Sequence, residues 1–213
     1  MQVLEIRSSL KTSQIFVLQE RLSKKIITKN ILPKKIKTVC GVDVSYQNDK
    51  AFCSAVVMDI KSFKIIEEKN TSSEISWPYM PGLFMMREAK PILATLKKLK
   101  NFDILLVDGH GRLHPRKCGL ACYVGLKLDK PVIGVAKKIL CGQILSDSRI
   151  KFDGKILGYQ ITNKKNIYVS VGHKINLRTA KRIVQQLILE KNWYPEPLRK
   201  ADQNSKNYRK SQL

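Results

Sequence analysis

Two short apolar runs near the middle of the chain constrain the fold more than any other feature of the sequence. Residues 103–108 and 132–136 each have the length of a buried strand, and residues 116–126 between them have the length and pattern of a helix. A strand, a helix and a second strand in this order indicate two parallel strands joined by a helical crossover. The sequence therefore predicts an α/β fold.

The first third of the chain predicts antiparallel strands beside that parallel pair. Residues 38–46, 50–59 and 62–70 are β-rich runs separated by short polar connections, which is the pattern of a meander. Together the two patterns predict a mixed β-sheet flanked by helices. The other predicted elements are a strand pair at 156–161 and 167–171 and helices at 9–30, 83–99 and 176–190.

The length and hydropathy pattern predict one soluble domain. A chain of 213 residues with 43% hydrophobic composition suits one core and is short for two. We expect residues 1–202 to form this single domain and the polar residues 203–213 to be a disordered tail. No uninterrupted apolar stretch reaches about 18 residues, and the first residues lack a signal-peptide pattern, so we expect a cytoplasmic protein, a monomer, with no membrane contact.

The charge predicts a polyanionic partner. The formal net charge is +23, from 40 Lys and Arg against 17 Asp and Glu, and such an excess attracts nucleic acid over long range. An alternative is that the many lysines reflect the codon usage of an AT-rich genome. The five cysteines are scattered and odd in number, which favours buried thiols over disulfides, and Cys118 with Cys122 has no second pair to complete a zinc site.

Three acidic residues stand in apolar surroundings. Asp43 lies inside VCGVDVSY, Asp108 ends ILLVD, and Glu88 lies on the predicted helix 83–99. A charge in such surroundings is costly unless a cation compensates it, and carboxylates from separate elements suit Mg²⁺ or Mn²⁺. Each acid alone could instead be a cap or half of a salt bridge. Taken together they indicate a metal-dependent nuclease, since paired ions stabilise phosphodiester cleavage.

Basic and glycine residues surround these acids in the sequence. Gly109 and Gly111 follow Asp108 at a strand end, where they let a ligand approach the main chain. His114 could position water or transfer a proton, or it could only hold the loop, and Arg116 offers a phosphate-binding fork. Lys137 follows the strand VIGVA, where its ammonium could meet a scissile phosphate.

The segment from Pro78 to Pro81 is stiff because both prolines fix φ. Tyr79 and Met80 give it an aromatic and apolar tip that could act as a wedge between bases. The alternative is a rigid turn before the helix.

Six segments, in order, resemble the endonuclease V family: GVDVSY, PYMPGLFMMRE, LLVDGHGRLHPRKCGLA, VIGVAKKIL, VSVGHKI and PEPLRKAD. The resemblance spans residues 41–202 and implies a ribonuclease H-like fold. It implies metal-site acids Asp43, Glu88, Asp108 and Asp202, a catalytic Lys137 and a supporting His114. The implied wedge is Pro78, Tyr79, Met80 and Pro81, and the implied base pocket is Gly82, Phe84, Gly109, Gly111 and Leu140.

The resemblance also implies a reaction. The expected enzyme is a Mg²⁺-dependent nuclease, with Mn²⁺ as a substitute, that recognises hypoxanthine in DNA and hydrolyses the second phosphodiester 3′ to the lesion. Inosine-containing RNA is the alternative substrate. Tyr123 stands where family members commonly have His, and Val171 where Pro is usual; Tyr is a poor neutral-pH base because its unperturbed pKa is about 10. A binding module without turnover is therefore a competing interpretation.

Overall fold

A computed structural model of the chain describes residues 2–212, and the side chains of residues 12–212. The helices are α1 (Gln2–Ser23), α2 (Phe84–Leu96), α3 (Leu120–Leu128), α4 (Leu177–Gln186) and α5 (Glu196–Ser211). The strands are β1 (Thr38–Gln47), β2 (Lys50–Asp59), β3 (Ile65–Glu74), β4 (Ile104–Asp108), β5 (Val132–Ala136), β6 (Gln143–Ile144), β7 (Arg149–Phe152), β8 (Lys155–Asn163) and β9 (Lys165–His173).

The strands form a mixed sheet in the order β3-β2-β1-β4-β5-β9-β8-β7-β6. The meander β1-β2-β3 is antiparallel, β1, β4 and β5 are parallel neighbours, and β5 pairs antiparallel with β9. The parallel strands β4 and β5 are joined through α3, because a parallel pair needs a crossover connection. The predicted mixed α/β sheet flanked by helices is confirmed.

Helices cover both faces of the sheet, and each face has its own core. On one face α2 and α3 pack on the strands through residues such as Ala89, Ile92 and Val124. On the other face α4 and α5 contribute Ile183, Val184, Leu198 and Ala201. The central strands β4 and β5 are therefore buried on both sides, which explains why their sequences are apolar runs without alternation.

The structure corrects the prediction for the C-terminal segment. Residues 203–211 are not a disordered tail but the second half of α5. This helix has few large apolar residues, and it is held by small buried side chains, Ala201 and Ser205, that allow it to lie close to β1 and β2. The short strands β6 and β7 were also missed, because residues 143–152 alternate too briefly to give a strand pattern.

Several helix boundaries also differ from their predictions, most of all in α1 and α3. Helix α1 ends at Ser23 rather than near residue 30, and α3 begins at Leu120 rather than at residue 116. Helix α2 continues through Pro91 without being split.

Four of the five cysteines are buried, as the thiol interpretation requires, whereas Cys141 is partly exposed. Among the residues that the structure describes, no helix is both long and apolar enough to cross a membrane.

Candidate active site

Two of the three predicted acids meet where the parallel strands β1 and β4 lie side by side. Val42 pairs with Val107 in the sheet, so the next residues along each strand, Asp43 and Asp108, are neighbours. The two carboxylates are close enough for Asp108 to raise the pKa of Asp43, which burial raises most. The strand register alone therefore brings together two carboxylates that are far apart in the sequence.

The third acid enters from helix α2. Glu88 is only 5% exposed, and the Tyr46 hydroxyl donates a hydrogen bond to its Oε1 atom at 2.7 Å. The Arg87 guanidinium lies over the Tyr46 ring, 4.2 Å from its centroid, and donates to the Trp77 carbonyl. Tyr46 lies on β1, three residues after Asp43, so this hydrogen bond ties helix α2 to the strand that carries Asp43.

The electrostatics of this cluster show how tightly the acids are gathered. Burial raises the pKa of Asp43 well above its usual range, and the neighbouring Asp108 raises it further. Burial also raises the pKa of Glu88, with Asp43 and Asp108 adding to the effect. Like charges held in a poorly solvated site favour protonation unless a cation is present. The cluster is thus arranged for a positively charged ligand.

A lysine and a fourth acid lie at the edge of the cluster. Lys137 Nζ is 2.5 Å from Asp108 Oδ2 and lies over the ring of Tyr194. Burial alone would lower the pKa of Lys137, but Asp108 raises it overall. Asp202 on α5 acts electrostatically on Asp43, while its own carboxylate pairs with Lys206 at 2.7 Å.

Within the described residues, no three His, Cys, Asp or Glu side chains are arranged as a ready set of metal ligands. Several carboxylate oxygens have other partners: Lys137 contacts Asp108, Tyr46 contacts Glu88, and Lys206 contacts Asp202. The donor set of clustered carboxylates nevertheless has the chemistry that hard divalent cations prefer.

A cavity of about 400 Å³ opens beside the acids. Asp108 and Lys137 form the side nearest the cluster, and the walls include most of the residues expected to bind a base: Gly82, Phe84, Gly109 and Leu140. Its volume lies in the range of small-ligand pockets.

Gly111 does not line this cavity. A Cβ atom at Gly111 would lie 2.1 Å from the Val171 carbonyl oxygen, so the glycine is needed for close backbone packing against β9. The structure thus gives Gly111 a packing role, and its place among the base-pocket residues stays a prediction.

The Pro78–Pro81 segment forms one rim of the same cavity through Tyr79, Met80 and Pro81. Tyr79 is 66% exposed, and its ring makes only an edge contact with Phe84. Pro78 is exposed as well. An aromatic ring held outward by a stiff segment is the geometry that the wedge interpretation needs.

Arg116 and His114 hold the loop rather than projecting into open space. The Arg116 guanidinium donates to Gln19 Oε1 at 2.5 Å and to the Gly82 carbonyl at 2.9 Å, and it lies over the Phe16 ring. The expected phosphate-binding fork is thus engaged in internal contacts. His114 is 3% exposed, and burial lowers its pKa to about 4, so its ring is neutral near pH 7.

Tyr123, the departure from the family pattern, lies away from this cavity. It lines a separate groove between α2 and α3 with Trp77 and Leu93. The sequence did not indicate four residues near the site, because they are uncharged and their partners are distant in sequence. These residues are Gln19, Tyr46, Tyr194 and Ser205.

Comparison with known proteins identifies a family for this chain. The family model for Endonuclease V matches residues 20–203. Endonuclease V of Thermofilum pendens is 40% identical over 191 residues, covering 86% of this chain and 82% of that protein. Endonuclease V of Pyrococcus abyssi is 40% identical over 193 residues, covering 91% and 90%.

Solved structures agree with the sequence relatives. The crystal structure of Endonuclease V from Bacillus subtilis has a TM-score of 0.84 with 29% identity and covers 93% of this chain and 92% of its own. Endonuclease V of Ciona intestinalis, crystallised with a 24mer DNA containing an inosine followed by a ribo-adenosine, has a TM-score of 0.87 with 27% identity and covers 96% and 100%.

The mixed sheet, the neighbouring carboxylates on its central strands and these structural matches define a nuclease with an α/β fold. Within that class, the chain belongs to the endonuclease V family.

Proposed function

We propose that the protein is a Mg²⁺-dependent endonuclease of DNA repair that recognises hypoxanthine in DNA and hydrolyses the second phosphodiester bond 3′ to it. The observation that supports this proposal is that Asp43 and Asp108 are neighbours in the strand register, that both act electrostatically on Glu88, and that Asp108 also lines a cavity of about 400 Å³. Family membership supports the same activity. The products are a 3′-hydroxyl and a 5′-phosphate.

The acid cluster fits a divalent cation on chemical grounds. Asp43, Glu88 and Asp108, with Asp202 as a fourth candidate, would hold Mg²⁺, with Mn²⁺ able to substitute. Burial, together with repulsion from neighbouring acids, raises the pKa of Asp43 and of Glu88, and a bound cation would offset both effects. When bound, such ions stabilise negative charge on a phosphoryl group undergoing displacement.

Lys137 is proposed to act at the leaving group. In the reaction a water oxygen forms a bond to phosphorus, the bond from phosphorus to the 3′ oxygen breaks, and that oxygen takes up a proton. The Lys137 ammonium lies against Asp108 at the cavity edge, where it can offset charge that develops on the departing oxygen. The raised pKa of Lys137 keeps it cationic for this purpose.

The cavity is proposed to hold a flipped hypoxanthine base. Main-chain groups near Gly82, Gly109 and Leu140 line it, and hypoxanthine differs from adenine by its six-position oxygen and its N1 proton. Flipping costs a few kcal/mol, least for a weakly paired base, which itself favours the lesion. Tyr79 would fill the space left in the stack, and Endonuclease V of Ciona intestinalis was crystallised, in two structures, with DNA containing an inosine.

The test is a cleavage assay with end mapping. Labelled strands with one inosine, and matched strands with adenosine, are incubated with Mg²⁺ or with EDTA, as DNA and as RNA. We expect metal-dependent cutting of the inosine DNA strand at the second bond 3′ to the lesion. Tight binding without cutting would instead support the binding-module interpretation, and cutting of RNA alone would make RNA the substrate.

A further inference from the structure

The carbonyl oxygen of Gly82 accepts hydrogen bonds from three side chains at once. Gln19 Nε2 lies 3.2 Å from it, His114 Nε2 lies 3.1 Å away, and Arg116 Nη2 lies 2.9 Å away. A carbonyl oxygen has two lone pairs, so three donors are more than it ordinarily receives. The position of this peptide group is therefore strongly fixed, and we call the three side chains the Gly82 clamp.

Gln19 connects the clamp to a second segment of the chain that lines the cavity. Its amide also donates to the Cys118 carbonyl at 2.9 Å, and its Oε1 atom accepts from Arg116 Nε at 2.5 Å. Gly82 belongs to the segment that carries the wedge, whereas Cys118 precedes Gly119 in a second segment; both glycines line the cavity, and we call these two segments its walls. One side chain, 1% exposed, thus ties the two walls together.

The other clamp members are themselves held in place. The Arg116 guanidinium lies 3.8 Å from the centroid of the Phe16 ring on α1. The Arg116 backbone N–H donates to His114 Nδ1 at 3.2 Å, which leaves the other ring nitrogen of His114 to donate to Gly82. Gly82 has φ of +75°, and a Cβ there would meet Arg116 Nη2 at 2.9 Å, so the clamp requires glycine.

We propose that Gln19, acting with Arg116 and His114, is a positioning residue that fixes the spacing of the two cavity walls and so sets the preference for inosine over adenosine. The inference rests on the function proposed above. Main-chain groups can tell hypoxanthine from adenine only when they lie within hydrogen-bonding distance of the base edge. A displacement near 1 Å removes such a contact and costs about 10²-fold in rate. Helix α1 then supports the preference for inosine through Gln19, and Gln19 itself does not contact the acid cluster.

The test compares Gln19→Leu and Gln19→Glu with Gln14→Leu, which changes an exposed glutamine of the same helix. Leu removes every hydrogen bond of the side chain, whereas Glu keeps an acceptor for Arg116 and loses the donors to Gly82 and Cys118. Single-turnover cleavage of inosine and adenosine strands gives the preference ratio. We expect both Gln19 variants to lose about tenfold or more of this ratio, as one lost hydrogen bond allows, and Gln14→Leu to keep it.

Hydrogen exchange of the free protein separates the clamp from the nuclease proposal. We expect faster amide exchange at residues 80–84 and 118–120 in both Gln19 variants and not in Gln14→Leu. Unchanged exchange there would overturn the clamp whatever the cleavage results. Faster exchange with an unchanged preference ratio would reduce Gln19 to a structural role. A wild-type protein that does not prefer inosine would overturn the proposed function itself.

Discussion

Tyr79 combines high exposure with a stiff attachment, a pairing that stability alone does not explain. At 66% exposed, it buries little apolar surface, yet prolines at 78 and 81 hold its segment at the rim of the cavity. An exposed ring contributes little to folding but can displace a base from its stack. The side chain is therefore better explained by contact with nucleic acid than by packing.

Replacing Tyr79 by Ala should weaken the preference for inosine strands about tenfold while changing the free energy of unfolding by less than about 0.5 kcal/mol. Competitive cleavage and thermal unfolding measure the two effects. Ile66→Ala is a matched control, because Ile66 is 58% exposed on β3. Equal losses of affinity for inosine and adenosine strands would show that Tyr79 forms a turn and not a wedge.

His114 gives a pH dependence with a defined sign. Its pKa is lowered to about 4, chiefly by burial, against about 6.5 in the unfolded chain, so the unfolded state binds more protons between these values. Stability should therefore fall as pH decreases from 6.5 to 4, by up to about 3 kcal/mol from this residue. His114→Gln should flatten the profile measured by denaturant unfolding, and parallel profiles of variant and wild type would contradict this account.

The charge of a site residue decides whether the sequence can predict it. Asp43 and Asp108 interrupt or end apolar runs. Burying a charge there costs free energy, and this indicates a function without any knowledge of the fold. Gln19 and Tyr46 carry no such cost, and their partners lie 42 to 99 positions away, so only the folded structure reveals them. Arg116 and Gly111 were recognised as special, but the sequence could not tell a structural contact from a ligand contact.

Helix α5 shows the limit of hydropathy patterns for whole elements. Its sequence EPLRKADQNSKNYRKS is polar enough to suggest disorder beyond residue 202. In the structure, Ser205 donates towards Asp43, Tyr208 makes an edge contact with Phe52, and Arg209 donates to the Tyr46 carbonyl. By contrast, β2 and β5 were predicted with their observed bounds, because buried strands have continuous apolar sequences.

Removing residues 203–213 should therefore destabilise the protein and not merely shorten a tail. Loss of the Tyr208 contact, the buried Ser205 and the Arg209 bond should cost about 2 kcal/mol or more, which lowers the melting temperature by roughly 4–8 °C. Removing only residues 212–213 is the control, since α5 ends at Ser211. Identical melting temperatures for both truncations and the full chain would contradict the structure of this helix.

The protein combines a strongly positive net charge with a cluster of acidic side chains at its candidate active site. Its net charge of +23 favours binding to any phosphate backbone, whereas the clustered carboxylates would repel that backbone unless cations neutralised them. Lys137 at the cavity edge compensates only part of this negative charge. The combination is physically consistent if divalent ions complete the site, and specificity then depends on the neighbouring cavity.

The most direct test of this account measures Mn²⁺ binding by calorimetry to the wild-type protein and to Asp43→Asn and Asp108→Asn, alongside cleavage of inosine-containing DNA. We predict that either substitution weakens Mn²⁺ binding and reduces cleavage by about 10³-fold or more, while binding of the inosine strand is kept. Wild-type Mn²⁺ affinity and cleavage in either variant would contradict the claim that these carboxylates hold the catalytic ions.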